Sequence, residues 1–182
     1  MPEAPAVAAP SDLLARWQAA DDAWRGRGVR YGVATREQVA GKSGLEIFRS
    51  MIAGELPAPP ISQTLDFMLV EAEAGRVVFQ GKPGVAHYNP MGTVHGGWFA
   101  TLLDSAAACA VHSTLPAGKA YTTAELKINI VRPLTDKVAL VRATGTLIHL
   151  GGRMATSEAR LTGSDGKLYA HASTTCFIFD IP

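Results

Sequence analysis

The chain has 182 residues, with 17 basic and 16 acidic side chains and a formal net charge of +1 at pH 7. This length allows one well-buried core with a small appendage and is too short for two full-sized domains. The charges are balanced and form no run of lysine or arginine. That balance argues against nucleic-acid and anionic-membrane partners.

Cysteine usage and the first residues indicate a compartment. Cys109 and Cys176 are far apart and lack metal-ligand or redox spacing, which is typical of a reducing cytosol rather than of a disulfide framework. The start MPEAPAVAAPSD has no basic segment ahead of an apolar stretch, and no apolar run approaches the roughly 20 residues needed to cross a bilayer. We therefore expect a soluble, cytoplasmic protein without a membrane partner.

Residues 1–43 are predicted to form a tail and a helix ahead of the main domain, which we assign to 44–182. Residues 1–10, rich in alanine and proline, read as the tail. Ser11 is predicted to cap the helix, whose apolar side chains recur every three or four residues (Leu13, Trp17, Ala20 and Trp24). The glycines of RGRG, residues 25–28, should end it.

The main domain is predicted to begin with a helix and a β-hairpin. Ser43 and Glu46 have the spacing of a capping box, and the helix should run through LEIFRSMIAGEL to PAPP, residues 57–60. From Ile61 the sequence ISQTLDFMLVEA, the turn AGR and VVFQGK favour two strands. The loop VAHYNPMGTV then leads to a long apolar helix over 95–113.

After that helix the chain is predicted to be all β. Four segments read as strands, YTTAELKINIVR, KVALVRATGTLIH, RMATSEARLT and KLYAHASTTCFIFD, and PLTD, LGG and GSDG between them have the composition of turns. A helix this apolar needs cover nearly all round, and a curled sheet provides it most economically. We therefore predict an α+β fold in which an antiparallel sheet of about six strands curls around one long central helix, with extra N-terminal helices.

The central helix carries a single acid, Asp104, in its middle. At 100° per residue this acid falls in a narrow stripe of polar or small residues (Gly97, Thr101, Asp104, Ser105, Ala108 and His112), whereas large apolar residues lie outside the stripe (Trp98, Phe99, Leu102, Leu103 and Ala106). A buried carboxylate without a partner is costly, so Asp104 needs a partner, water or a function. Periodicity alone leaves open an acid satisfied by Ser105 or a neighbouring backbone group.

Two glycines at the start of this helix favour a functional role. A helix N-terminus exposes unpaired N–H groups and partial positive charge, and Gly96 and Gly97 have no Cβ to block an approaching carbonyl oxygen. Backbone donors of this kind form oxyanion holes. Asn89, just before Pro90, has an amide that can orient a water or a second carbonyl oxygen. Donors, amide and carboxylate are the groups that acyl transfer needs.

The arrangement HxNPxGxxHGGxxxxLLDxA, from His87 to Ala106, resembles the hot-dog-fold acyl-CoA thioesterases, in particular their phenylacetate-degradation (PaaI-type) branch. The resemblance runs from about Gly44 to Phe179 and includes GLEIFRSMIAGELPAPPISQTLDF and LKINIVRP. It implies a hot-dog fold and hydrolysis of the thioester of an acyl- or aryl-acyl-CoA. It also implies no metal or redox cofactor, since coenzyme A is part of the substrate.

The resemblance assigns catalytic roles to four residues. Asn89 would position the thioester or the attacking water, Gly96 would donate its N–H to the thioester oxygen, and Asp104 would be the general base or the nucleophile. Thr123, on the first strand after the helix, falls where related enzymes carry a Ser or Thr that holds the water. By strand parity, however, Thr123 shares a face with Glu125 and Lys127, so an exposed strand threonine is the alternative.

Six further residues are candidates for substrate binding (His95, Gly97, Tyr88, Met91, Trp98 and Arg153). Arg153 follows LGG in a turn where the family often places a cation for the phosphates of coenzyme A; Arg132 is a similar candidate, and a solvated arginine is the alternative at both. The aromatic residues and Met91 can line an acyl pocket or belong to the core, which leaves aryl and medium-chain substrates open. His95 can instead order the loop, the histidine spacing suits no metal site, and Cys109 is expected to be inert.

Gly96 and Asp104 are too far apart to act on one thioester within one chain. Eight residues of helix separate their backbones by roughly 12 Å, and an aspartate side chain reaches only a few Å. We therefore expect a homodimer with composite active sites, as the resemblance also implies, and possibly a tetramer. Two alternatives remain: a non-catalytic acyl-CoA-binding protein, and an acyl-CoA hydratase on the same fold, for which only the distant His112 offers a partner to Asp104.

Overall fold

A computed structural model describes residues 10–181 as five α-helices, one 3₁₀ turn and six strands. The helices are α1 (Pro10–Gly26), α2 (Arg36–Val39), α3 (Gly44–Ala53), α4 (Pro60–Thr64) and α5 (Gly96–His112), and the 3₁₀ turn is Val85–His87. The strands are β1 (Phe67–Glu73), β2 (Arg76–Gly81), β3 (Lys119–Ile130), β4 (Val141–Leu150), β5 (Met154–Gly163) and β6 (Leu168–Asp180). None of the helices in this part of the chain is long and apolar enough to span a membrane.

All six strands belong to one antiparallel sheet in the order β1-β2-β4-β5-β6-β3. The helix α5 packs against every strand from β2 to β6, which requires the sheet to curl around it. At the tightest approach, a Cβ on Gly145 of β4 would lie only 2.0 Å from the carbonyl oxygen of Ala106, so this position needs glycine. The predicted α+β hot-dog architecture is confirmed.

The burial of α5 follows the predicted stripe. The side chains outside the stripe are the centre of the core, each no more than 3 % exposed (Trp98, Phe99, Leu102, Leu103 and Ala106). Thr101, Asp104 and Ser105, within the stripe, are only half-buried. Ala108, farther along the stripe, is buried. The helix therefore presents one polar face, up to Ser105, that the sheet of its own chain covers only in part.

The N-terminal helix α1 lies on the opposite, outward face of the sheet. The buried Gln80 of β2 alternates with the inward Phe79 and donates a hydrogen bond from Nε2 to the carbonyl oxygen of Trp17, at 3.1 Å. The guanidinium of Arg142, on β4, lies 4.7 Å from the centroid of the Trp17 ring. Arg142 also forms an ion pair with Glu71 at 2.7 Å. These contacts fix α1 across the outside of β2 and β4.

The start of the main domain differs in part from the prediction. The capping box of Ser43 and Glu46 is confirmed, but α3 ends at Ala53 because Gly54 adopts a left-handed conformation with φ 80°. The expected strand from Ile61 is wrong over its first residues, which form α4. Proline is favoured in the first turn of a helix, and Pro60 starts this one.

The N-terminal segment also differs. Ser11 is not the helix cap, because α1 already includes Pro10, and the predicted tail over residues 1–9 lies outside the described residues. The short helix α2 was not predicted, although Thr35 and Gln38 form a capping box. The boundary between 1–43 and 44–182 stays a proposal.

Strand β3 contains a β-bulge. Thr123 is paired with Cys176 and Glu125 with Thr175, so Ala124 between them has no partner on β6. An extra residue of this kind shifts the alternation of side chains, so that positions before and after it no longer follow one parity. The inward side of β3 changes from odd to even residue numbers at Ala124.

Candidate active site

The N-terminus of α5 exposes one unpaired amide. His95 is the N-cap, and its Nδ1 accepts a hydrogen bond from the N–H of Gly97 at 2.9 Å. The N–H of Gly96, in contrast, has no hydrogen-bond partner among residues 10–181. Gly96 borders a pocket of about 330 Å³ together with Asn89 and Arg132. The structure thus uses His95 and Gly97 to cap the helix and leaves the Gly96 amide open to a ligand.

Asn89 shapes the loop that leads into α5. Its Oδ1 accepts hydrogen bonds from the backbone N–H groups of Met91, at 2.9 Å, and Thr93, at 3.4 Å. Its Nδ2 donates to the hydroxyl of Thr93 at 3.1 Å. An amide nitrogen carries two hydrogens, so one N–H of Asn89 has no partner in the described chain. Asn89 lines the same pocket as Gly96, so this N–H is available to a ligand there.

The half-buried Asp104 is paired with Thr123, whose Oγ1 donates a hydrogen bond to its Oδ1 at 2.9 Å. The partner of the acid is therefore a strand hydroxyl rather than Ser105 of the same helix. This contact depends on the bulge in β3. The expectation that Thr123 shares a face with Glu125 and Lys127 is wrong, because the extra residue puts those two exposed side chains on the other face.

An uncharged cluster lies farther along α5. The Sγ of Cys109 is 3.7 Å from the hydroxyl of Tyr121, and burial raises the pKa of the Cys109 thiol to about 12 and that of Tyr121 well above its ordinary value. The ring of His112 packs between Phe48 and Tyr121, with centroid distances of 5.2 Å and 5.1 Å, and burial lowers its pKa. His112 is thus held among aromatic rings rather than beside Asp104.

The other predicted binding residues do not form one cluster. The hydroxyl of Tyr88 donates to Asp136 Oδ1 at 2.7 Å, and the buried Trp98 donates from Nε1 to a backbone carbonyl oxygen at 2.8 Å. Met91 is 86 % exposed, and Arg153 is exposed in the β4–β5 turn. Within residues 10–181 no three metal-ligating side chains come together.

Two apolar cavities beside α5 have no counterpart in the sequence-based predictions. Their volumes are about 200 Å³ and about 580 Å³. Both have walls from α5 and from the N-terminal segments that precede β1. Leu69 and Phe79 add to the wall of the smaller cavity, and residues 118–120 with Ile181 add to that of the larger one. No local pattern marks them, because only tertiary packing brings these segments together.

Gly96 and Asp104, both on α5, lie beside separate points of the strand β3. Thr123 of β3 contacts Asp104, and the Cδ1 of Ile130 lies 3.4 Å from the position that a Cβ on Gly96 would occupy. Roughly 12 Å of helix separates the two residues. In the described part of the chain β3 is paired only with β6, so its other side is an open sheet edge.

Comparison with known proteins decides the family. The sequence matches the family model described as Thioesterase superfamily over residues 91–170. A phenylacetic acid degradation-related protein from Ralstonia eutropha, named as a candidate thioesterase, has a solved structure that is 31 % identical, with a TM-score of 0.65. The match covers 71 % of this chain and 98 % of that chain. The chain belongs to the thioesterase superfamily.

Two further solved structures are similar to the chain. A mutant of the phenylacetic acid degradation protein PaaI from Thermus thermophilus is 28 % identical, with a TM-score of 0.58 and coverage of 65 % of this chain and 97 % of that chain. A thioesterase from Haemophilus influenzae shares the fold at 19 % identity, with a TM-score of 0.61 and coverage of 66 % of this chain and 82 % of that chain. No curated protein matches the chain. This member of the thioesterase superfamily is a PaaI-type hydrolase that acts on thioester bonds.

Proposed function

We propose that this thioesterase hydrolyses acyl-CoA, with Asp104 as the general base that activates water. The observation that carries the proposal is the hydrogen bond from Thr123 Oγ1 to Asp104 Oδ1, at 2.9 Å. A donor on one carboxylate oxygen fixes the orientation of the group and leaves Oδ2 to accept a proton from water. Thr123 would therefore be a positioning residue, and Asp104 the catalytic one.

The amide of Gly96 would bind the thioester oxygen. The first N–H of α5 has no partner in the described chain and carries the partial positive charge of the helix N-terminus. Such a donor stabilises the oxyanion that forms when the carbonyl carbon becomes tetrahedral. The free N–H of Asn89 would orient the thioester in the same pocket, and Arg132 and Arg153 would contact the phosphates of coenzyme A.

The proposed reaction balances without a metal or redox group. Water attacks the thioester carbon while Asp104 Oδ2 takes one of its protons, and negative charge develops on the oxygen held by Gly96. Collapse of the tetrahedral intermediate breaks the C–S bond. The thiolate of coenzyme A then receives the proton from Asp104, and the free carboxylic acid leaves.

We place this site between two copies of the chain. Antiparallel pairing of β3 with the same strand of a second copy, about a two-fold axis at Lys127, places Leu126 opposite the partner subunit's Ile128. Counted past the unpaired Ala124, the same pairing brings Thr123 opposite the partner subunit's Ile130. Because Thr123 contacts Asp104 and Ile130 contacts Gly96, this pairing also brings Asp104 towards the partner subunit's Gly96. The open edge of β3 and the partly covered polar stripe of α5 support this arrangement.

Two variants test the composite site. Asp104→Ala removes the base, which should lower kcat by roughly 10² to 10⁴. Gly96→Pro removes the donor N–H, with an expected loss of about 10² to 10³. Proline suits the first helical position, and His95 before it has φ −64° and ψ 141°, which a residue preceding proline tolerates. Gly96→Ala, which keeps the N–H, controls for the added bulk.

The two variants are then unfolded together and refolded, with wild type refolded in parallel, and thiol release from acyl-CoA is measured. Random pairing gives about half mixed dimers, each with one intact site of two, so activity should recover to ~25 % of wild type. No recovery, with wild type refolding normally, would show that each site is built from a single chain.

A further inference from the structure

The smaller apolar cavity lies beside α5 at a short distance from Asp104. Its volume is about 200 Å³, and its walls include three aromatic rings, a methionine, a leucine and a thiol (Trp24, Phe48, Phe79, Met51, Leu69 and Cys109). Cys109 follows Asp104 by five residues, which is about 7.5 Å along the helix axis and about 140° around it. Both side chains nevertheless contact the helix-facing side of β3, Cys109 at Tyr121 (3.7 Å) and Asp104 at Thr123 (2.9 Å). An acyl group attached to a thioester at Asp104 can therefore reach this cavity, which we call the inner cavity.

The larger cavity, the outer pocket, lies beyond it at the C-terminal end of α5. It has a volume of about 580 Å³ and is lined by His112 together with Val39 and Ile47 from the segment before β1. Met51 and Pro59 line both spaces, so they form the partition between the inner cavity and the outer pocket.

Met51 is the adaptable part of this partition. Pro59 precedes α4 in a conformation that its ring restricts, with φ −63°. Met51, on α3, is half-buried against the core, and an unbranched thioether side chain can change its shape to suit a neighbour. Truncating Met51 would join the two spaces, whereas the wild-type side chain closes the inner cavity at its far end.

We propose that the inner cavity binds the acyl group of the substrate and that Met51 sets its upper size. This inference rests on the proposed function. An apolar cavity of roughly 150 Å³ is enough to bind benzene, so the 200 Å³ of the inner cavity suits a compact apolar acyl group, such as one ending in a single ring. Ser62 has the one hydroxyl among the residues that line it, and the wall is otherwise mostly apolar, so the cavity offers little to a polar acyl group. A long acyl chain would contact Met51 at the far end of the inner cavity and would not fit.

The test is a panel of acetyl-, benzoyl-, hexanoyl- and palmitoyl-CoA, with kcat/KM measured for each. Wild type should favour benzoyl- or hexanoyl-CoA over palmitoyl-CoA. Met51→Ala should raise the ratio of kcat/KM for palmitoyl-CoA to kcat/KM for benzoyl-CoA by about tenfold or more, because the merged space accepts the longer chain. Ile47→Ala enlarges only the outer pocket and should leave this ratio at its wild-type value. An unchanged ratio in Met51→Ala, or an equal change in Ile47→Ala, overturns the role of Met51.

A second variant decides the matter if Met51→Ala does not fold. Cys109→Leu changes no residue of the partition and fills part of the inner cavity. It should lower the ratio of kcat/KM for benzoyl-CoA to kcat/KM for acetyl-CoA by about tenfold. An unchanged ratio refutes the cavity assignment. If wild type releases thiol from none of the esters, the proposed function fails instead. Binding affinities by calorimetry would then test the cavity, with the same shift between benzoyl- and palmitoyl-CoA expected for Met51→Ala.

Discussion

At the scale of single residues, the hydroxyl of Thr123 is the contact that distinguishes Asp104 from an ordinary helix acid. The two side chains come from different elements and meet at 2.9 Å. A hydrogen bond to a charged group contributes about 1.5–3 kcal/mol, and each 1.36 kcal/mol corresponds to about a tenfold change in rate. Loss of this bond should therefore have a measurable but limited effect on turnover.

Thr123→Val keeps the shape of the side chain and removes its hydroxyl. We expect kcat to fall by about 10- to 100-fold with little change in KM, because the carboxylate loses its orientation and the substrate keeps its contacts. Thr123→Ser should restore most of the rate, and Thr122→Val, on the exposed side of the same strand, should leave it unchanged. Steady-state kinetics on one acyl-CoA are sufficient. Full activity in Thr123→Val would refute its positioning role.

The sequence was sufficient for the residues whose roles depend on chain-local geometry. The helix stripe that contains Asp104 and the glycines that begin α5 follow from periodicity and from the absence of a Cβ. The internal hydrogen bonds of Asn89 and of the Gly97 amide could not be read in the same way. They depend on the folded shape of the loop over residues 87–95, in which several donors compete for few acceptors.

At the scale of elements, prediction succeeded where one signal dominates and failed where two compete. The long apolar α5 and the capping box of α3 are strong local signals, and both are present. The segment Pro60–Thr64 carries β-favouring residues, yet the proline at its start favours a helical turn. The bulge at Ala124 has no marker in its own sequence, since alanine there serves no special backbone conformation, and only the pairing with β6 reveals it.

The C-terminal end of α5 should make stability depend on pH. A helix C-terminus favours a charged histidine by about 0.3–1 kcal/mol, but burial between Phe48 and Tyr121 outweighs this and lowers the pKa of His112 from its ordinary value of 6.5. Well above pH 6.5 the imidazole is neutral in both the folded and the unfolded chain. Below it the unfolded chain takes up a proton that the folded chain resists, so the free energy of unfolding falls.

Urea denaturation between pH 6.5 and about pH 5 measures this dependence. The free energy of unfolding of wild type should fall more steeply with decreasing pH than that of His112→Gln. His149→Gln, which changes an exposed histidine, should keep the wild-type slope. Equal slopes for wild type and His112→Gln would mean that His112 accepts its proton in the folded protein as readily as in the unfolded chain.

At the scale of the whole molecule, the two faces of the sheet pack against different helices. The inner face holds α5 and the candidate site, while the outer face of β2 and β4 is covered by α1 through Trp17, Gln80 and Arg142. The last residues of α1 also reach the inner cavity, where Trp24 forms part of the wall. One helix thus contributes to stability at one point and to the proposed substrate pocket at another.

Two tryptophan variants separate these contributions. Trp17→Ala should lower the free energy of unfolding by about 3 kcal/mol, because it removes a buried ring and its contact with Arg142. Its kcat/KM should stay near the wild-type value, since Trp17 lies across the sheet from α5. Trp24→Ala should change both stability and the preference among acyl groups. Denaturation curves give the free energy of unfolding of both variants, and the same ester panel gives their preference among acyl groups. A change of this preference in Trp17→Ala would show that the two faces of the sheet are coupled.

The unpaired Ala124 has a consequence for how related chains are aligned. Tyr121 and Thr123 face α5 on one side of it, and Leu126 and Ile128 do so on the other. A relative whose strand lacks the extra residue would put its helix-facing hydroxyl one position out of step in a gapless alignment. Finding the residue equivalent to Thr123 in a relative therefore depends on the length of the strand as well as on residue type. An alignment used to trace this site needs a gap of one position in β3.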